Sequence, residues 1–469
     1  MRIRVLLLAA LCGLLAAAPP ATVPDTPAGR QFAHWLEVFN GGKRDEIQKY
    51  LEQNHPEEAA SIDREMDFRR MTGGFDFEKV EESAPAKITG IVKERESGNY
   101  ARFDMEIQPD PPHHIVNFGL DLIPRPAEFP ATPRLREPEA IAALQAEIQK
   151  RTAEDRFAGT VAIAKGRKTV FSGAYGSADR EQKVPAKLDT RFRIGSMNKM
   201  FTATAVLQLA QAGKLQLTDP LGKYLTDYPN KDVAKVTVHQ LLTHTGGTGD
   251  IFTPEFEKNR LTLRELKDYV ALYGKRAPQF DPGARFAYSN YGFILLGVLV
   301  EKVSGQSYYQ YVQEHIYKPA GMTRTDSLPE EEHVEGRSQG YMQQHGKWEI
   351  NTDTLPVRGT SAGGGYSTVG DLVAFANALM EHELLNVEFT KLMTTGKVQG
   401  GPSGKYAYGF SDTTQDGVRW VGHGGGAPGM NGDLKFCPDS GYIIAVLSNL
   451  DPPAASRISD FIAARLPEK

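Results

Sequence analysis

The sequence predicts an α+β protein in two unequal parts: a small helices-then-sheet unit over residues 26–124 and a larger unit over 137–469. In the larger unit an antiparallel sheet flanked by helices is joined to a helical lobe. Three observations predict this. Apolar spacing is helical from Thr26 to Met71, then switches to strand-like alternation up to Ile123. Prolines at 124, 126, 130, 133 and 138 mark a semi-rigid linker, assigned to 125–136. Beyond it, strand-like runs at both ends of the remaining chain enclose a helix-rich middle.

The elements follow in order. Residues 1–21 read as a secretory signal peptide: Arg2 and Arg4, an apolar run from Val5 to Ala18, and small residues before a cleavage point expected between Ala16 and Ala21. The run is shorter than the roughly 20 residues that a membrane span needs. The mature chain is therefore expected in the periplasm or secreted, with no membrane span. Of the two cysteines, Cys12 lies in the leader, so Cys437 alone remains and no internal disulfide is expected. With 40% hydrophobic and 24% charged residues and a formal net charge of -4, the composition is that of a globular protein. There is no basic excess to suit nucleic acid.

Thr26-Pro27 caps a first helix carrying Phe32, Trp35, Leu36 and Phe39, closed by Asn40-Gly41-Gly42. Helices are expected from Asp45 to Leu51 and from Glu57 to Met71. Strands are expected over 75–80, 86–93, 100–107 and 115–123, with Ser97-Gly98-Asn99 as a hairpin turn. This pattern resembles cystatin-like or nuclear-transport-factor-like α+β domains. His113-His114 lacks further ligands and reads as surface, so no metal is expected. The larger unit opens with a helix from Glu137 to about Asp155. A hairpin over 159–175 turns at Gly166-Arg167. Strands over 434–436 and 442–448 precede a final helix from about Pro453. The middle, from Ser196 to about Met380, reads as a separate helical lobe.

Chemistry concentrates in three places. Ser196 and Lys199 lie at i and i+3 where a strand-like run ends at Gly195 and an apolar-periodic helix begins. That spacing puts the amine within reach of the hydroxyl, and free N–H groups at a helix start suit a developing oxyanion. By itself Ser-x-x-Lys is a chance-level motif, and a capping serine with a solvated lysine explains it better. Tyr288-x-Asn290 precedes another apolar helix. A tyrosine beside an ammonium can have a lowered pKa and act as general base, then acid, while Asn290 orients lysine and substrate. Trp420-Val-Gly-His423-Gly-Gly425-Gly426 is a strand ending in glycines, along which substrate can approach the backbone.

Ser196-x-x-Lys199, Tyr288-x-Asn290 and His423-Gly424-Gly425, in that order, resemble the active-site elements of the serine β-lactamase and penicillin-binding-protein superfamily, in its class C-like variant. Leu241-Leu-Thr-His-Thr-Gly-Gly247, Leu296 to Gly305 and Ala362 to Thr368 look like the same family. The match runs from about Glu137 to the C-terminus. The resemblance implies a β-lactamase/DD-peptidase-like fold with no cofactor. It implies acylation of Ser196, with Lys199 and Tyr288 sharing the proton work and either one serving as base. Asn290, His423, Gly425 and Gly426 would contact substrate, and the N–H groups of Ser196 and Gly426 would form the oxyanion hole. His423 stands where many members have lysine. An imidazole titrating near pH 6–7 holds a substrate carboxylate less firmly than an ammonium. The implied activity is thus that of an esterase, D-aminopeptidase or DD-peptidase-like hydrolase with weak β-lactamase activity, acting on a small molecule or a peptide from the cell wall.

Two rival readings remain. Gly359-Thr-Ser361-Ala-Gly363 matches an α/β-hydrolase nucleophile elbow, with Asp371 and His423 following in the required order. It lacks the preceding buried strand and following helix, and Thr368 and Asp371 read as a helix cap. His244 reads as loop structure. The other rival is a binding protein that kept the fold without the chemistry.

Overall fold

The computed structural model describes residues 22–344, 346–401 and 404–468; the predicted leader lies outside them. The chain divides into two compact units at Pro126/Ala127.

In the first unit, the Thr26 hydroxyl accepts the Gly29 N–H and opens α1 (Pro27–Gly41), and Gly42, at φ +69°, closes it. Then come α2 (Arg44–Asn54), α3 (Ile62–Thr72) and an antiparallel meander, β1 (Phe75–Ala84), β2 (Lys87–Glu94), β3 (Tyr100–Ile107) and β4 (Ile115–Ile123), in spatial order 1-2-3-4. Phe32, Trp35 and Phe39 of α1 are buried. Phe32 lies flat on Phe103 with ring centroids 3.8 Å apart, fixing the helix on the sheet. The helix expected from Glu57 is corrected. Residues 56–61 form a 3-10 turn, and the α-helix starts at Ile62. Pro56 opens that turn and none of its residues is buried, so no apolar stripe extends the helix backwards.

In the second unit, α4 (Glu137–Ala153), β5 (Gly159–Lys165) and β6 (Lys168–Tyr175) come first. The site helices are α5 (Asn198–Gln211), α6 (Asn290–Ser304) and α7 (Val369–Met380). The chain ends with β7 (Val398–Gly401), β8 (Gly404–Tyr406), β9 (Ser411–Gln415), β10 (Val418–Ala427), β11 (Met430–Phe436), β12 (Tyr442–Ser448) and α8 (Ala454–Ala463). Eight strands form one sheet in the order β7-β8-β9-β10-β11-β12-β5-β6. Both chain ends thus share a sheet, because β12 pairs antiparallel with β5, Tyr442 opposite Lys165.

β12 is buried at every position. Ile444 and Val446 face a core shared with Ala140, Leu144 and Ile148 of α4 and Ile458 and Ile462 of α8. Ile443, Ala445 and Leu447 face a second core containing Phe201, Leu295 and Phe375. Alternation on a strand sandwiched between helical layers produces the continuous apolar run in the sequence. The helical middle is therefore not a separate lobe with its own interior, since its core is continuous with one face of the sheet. The proline segment is not a free linker throughout: Leu135 N–H donates to Arg465 O, and Arg134 donates to Ala463 O. Among the described residues, no helix is long and apolar enough to cross a membrane.

Candidate active site

Gly195, at φ +53°, turns the chain from a short strand into a 3-10 turn over Gly195–Met197, from which α5 continues. Ser196 is half-buried on that turn and its side chain makes no capping bond. This removes the capping-serine explanation of the motif.

Lys199, in the first turn of α5, has no exposed surface. Its Nζ lies 3.2 Å from Ser196 Oγ and 2.7 Å from Asn290 Oδ1, and it also bonds the carbonyl oxygen of Ala362. Burial brings its pKa down to about 7, opposed by the Asp250 carboxylate. The partner chemistry fits an uncharged amine. The Asn290 and Ala362 oxygens can only accept, and together they use both N–H bonds of a neutral amine. The remaining lone pair then faces the one partner able to donate, Ser196. Asn290 is the first residue of α6, whose cap is Ser289 accepting Gly292 N–H at 2.9 Å. Its Nδ2 donates to Asp250 Oδ1 at 2.9 Å, which fixes the amide with its oxygen toward lysine.

The Tyr288 ring is 38% exposed, with Lys199 Nζ 4.6 Å from its centroid. The lysine therefore sits over the ring face rather than beside the hydroxyl. Burial of the hydroxyl pushes its pKa up, with a hydrogen bond to Ser196 pulling the other way. The expected lowering is reversed, and the phenol stays protonated at neutral pH. Behind Tyr288 lies buried His244, 4.3 Å away ring to ring. Its Nδ1 accepts Ser289 N–H at 3.0 Å, and burial lowers its pKa well below the usual value. It shapes the loop before α6.

His423 also differs from expectation. Its Nδ1 donates to the carbonyl of neighbouring Gly424, and its Nε2 accepts from Tyr406 at 3.0 Å. Tyr406 is buried with its pKa raised, so it is the donor. Burial takes His423 down to about 4, with Lys199 as a smaller contribution. The ring is neutral and both nitrogens are occupied. The ionisation anticipated near pH 6–7 is absent because the imidazole is enclosed rather than presented to the cleft.

β9 pairs with β10 only as far as Ser411 opposite Gly422. Residues 423–427 continue along β11 on the other side. This stretch crosses the serine turn in backbone contact. A Cβ at Gly425 would fall 1.9 Å from Ile194 O and 3.1 Å from Ser196 N, and one at Gly195 would fall 3.0 Å from Gly426 N. Glycine at both places lets the Gly425–Gly426 backbone approach the serine turn with no side chain between them.

The rival serine is excluded. Ser361 is fully buried, its Oγ has no hydrogen-bond partner, and a Cβ at Gly297 of α6 would lie 2.3 Å from that oxygen. The loop instead contributes the Ala362 carbonyl that holds Lys199. Thr368 caps α7 by accepting Asp371 N–H, and Asp371 accepts from Arg324 N–H and the Thr325 hydroxyl. Asp250, Ala362 and Tyr406 were not read from the sequence as site residues. Asp250 lies three residues beyond the Leu241–Gly247 stretch and Ala362 opens the Ala362–Thr368 stretch, which were the available signals.

A family model described as Beta-lactamase matches residues 144–468. The chain belongs to the beta-lactamase family. Within that family it is a serine hydrolase. It is similar to a penicillin-binding protein from Bacillus halodurans, with 36% identity, a TM-score of 0.61, and coverage of 67% of this chain and 98% of that one. A D-stereospecific amidohydrolase from Streptomyces sp. is 30% identical, with a TM-score of 0.59 and coverage of 70% and 99%. The human mitochondrial serine beta-lactamase-like protein LACTB is 28% identical over 288 residues, 47% of this chain and 52% of that one. The family match begins inside α4, so the first unit lies outside it.

The glycine crossing makes a testable demand. Gly425→Ala must displace β10 from the serine turn, and misplacing reacting groups by about 1 Å costs on the order of 100-fold in rate. A loss of that size in kcat/KM for a p-nitrophenyl ester is expected; near-wild-type turnover would show that the crossing does not position the site.

Proposed function

We propose that this chain is an exported hydrolase that forms an acyl-enzyme at Ser196 on an ester or amide. The observation that carries the proposal is the fully buried Lys199 amine, 3.2 Å from Ser196 Oγ, with a pKa near 7. In this reading Ser196 Oγ attacks the carbonyl carbon while its proton passes to neutral Lys199. The carbonyl oxygen becomes an oxyanion held by the N–H groups of Ser196 and Gly426. Lys199, now an ammonium, returns the proton to the leaving group as the carbon–leaving-group bond breaks, with the Tyr288 hydroxyl hydrogen-bonded at Ser196. Water then attacks the ester at Ser196, the proton moves by the same route, and serine is regenerated. Asn290 holds the lysine, and His423 stays neutral and enclosed.

The substrate side follows from charge. His423 has no free nitrogen and no positive charge near neutral pH, so it offers no anchor for a carboxylate. This favours esterase or aminopeptidase-type substrates over penicillins. The relatives, named for penicillin binding and for D-stereospecific amide hydrolysis, are consistent with amide chemistry on such a scaffold. The basic-then-apolar start of the sequence supports export to the periplasm or beyond, with a small accessory domain at 26–124, a linker at 125–136 and the hydrolase at 137–469.

A fluorophosphonate probe is expected to add once, at Ser196. Labelling should vanish in Ser196→Ala and persist in Ser361→Ala; an adduct elsewhere contradicts the assignment.

The pH dependence has a definite sign. The neutral amine is the active form, and its fraction grows as pH rises through the Lys199 pKa. kcat/KM should therefore fall about tenfold per pH unit below about 7 and level off above it. His423, at about 4, contributes nothing to that limb, so His423→Asn should leave it in place. Lys199→Arg, which cannot deprotonate, should abolish activity. Loss of the limb in His423→Asn would move the base from lysine to histidine.

A further inference from the structure

The first unit contains a cavity of about 230 Å³ that opens between α2, α3 and β4. Its floor is made by Trp35, Tyr50, Leu51 and Ile115, all buried. Phe118 and Leu120 of β4 form a half-buried wall. Phe118, Leu120 and Leu122 alternate along one face of β4. The register places Phe118 opposite Met105 and Leu120 opposite Phe103, both core residues. This is the strand face that normally is covered, yet Leu122, opposite buried Ala101, is 54% exposed. The helices thus cover the middle of the meander and leave the β4 side open.

The mouth is polar. Glu58 pairs with Arg64 across the opening, and Glu65 and His55 stand beside them. Two carboxylates against one guanidinium leave one negative charge in excess. Burial raises the Glu65 carboxyl and lowers His55, so the unpaired acid is poorly hydrated and the imidazole carries no compensating charge. Apolar cavities of about 150 Å³ accept a benzene ring, so this volume holds one ring with a short tail. An aromatic floor below an excess carboxylate suits a ligand that is apolar at one end and cationic at the other.

We infer that the first unit is a binding module for a small amphipathic cation, a single aromatic ring or branched apolar group on a short amine-bearing tail, with the ring on Trp35, Tyr50 and Phe118 and the amine at Glu65. The inference is independent of the chemistry at Ser196.

The test uses the full chain and 2-phenylethylamine as probe, followed by titration calorimetry at pH 7.5. One saturable site with a Kd below about 1 mM is expected, with 3-phenylpropionate, its anionic counterpart, at least tenfold weaker. Glu65→Gln, at a half-buried position, should weaken the amine about tenfold, and Leu120→Trp should fill the cavity and abolish binding. Neither should change hydrolysis of p-nitrophenyl acetate. No saturable binding, equal binding of the anion, or binding that survives Leu120→Trp would each overturn the inference. Glu65→Gln decides the charge question even if the tryptophan variant does not fold.

Discussion

The site depends on one costly arrangement, a lysine with no exposed surface held at the first turn of α5. Burying an ammonium is expensive, and the usual response is to shed the proton. Here the surroundings are built to accept that outcome. Asn290 and the Ala362 carbonyl take two N–H bonds and leave the lone pair for Ser196. Asn290 is in turn locked by Asp250. A residue that would be a solvated cation on most helices has its pKa brought down to about 7 because separate segments close over it.

The scaffold delivers those segments. α5 and α6 pack in the core that covers one face of the sheet, so Lys199 and Asn290 meet although 91 residues apart in sequence. The sheet contributes its glycine-rich edge. At Gly425 the strand touches the serine turn so closely that no side chain fits between them. The same strand bends His423 back onto its own neighbour's carbonyl, with Tyr406 closing the other nitrogen. In the proposed mechanism the lysine supplies reactivity, and the enclosed histidine leaves no permanent positive charge of its own for a carboxylate to seek.

Much of this was legible in the sequence because it rests on side chains at fixed spacing. Ser196 and Lys199 share a helix face, Tyr288 and Asn290 flank a cap, and β12 reads as a doubly buried strand. The meander of the first unit was legible from its alternation. Other parts left no signature. The Ala362 contribution is a carbonyl, common to every residue type, and Tyr406 reaches His423 from β8, a three-residue, glycine-containing strand without an apolar pattern. Burial was the other blind spot. The spacing showed that Tyr288 lay near a lysine and that His423 lay on a strand, but not that the lysine sits over the tyrosine ring or that the imidazole is enclosed. Both ionisations were therefore expected closer to neutrality than the structure has them.

The central claim is that Lys199 is an uncharged amine at working pH, and its protonation can be observed directly. In protein labelled with ¹⁵N at lysine Nζ, with Lys199→Met identifying the resonance, a pH titration followed by NMR should show Lys199 passing from ammonium to amine near pH 7. A titration close to the ordinary lysine value, about 10.4, would mean that the ammonium persists in the resting site and that the serine is activated by another group.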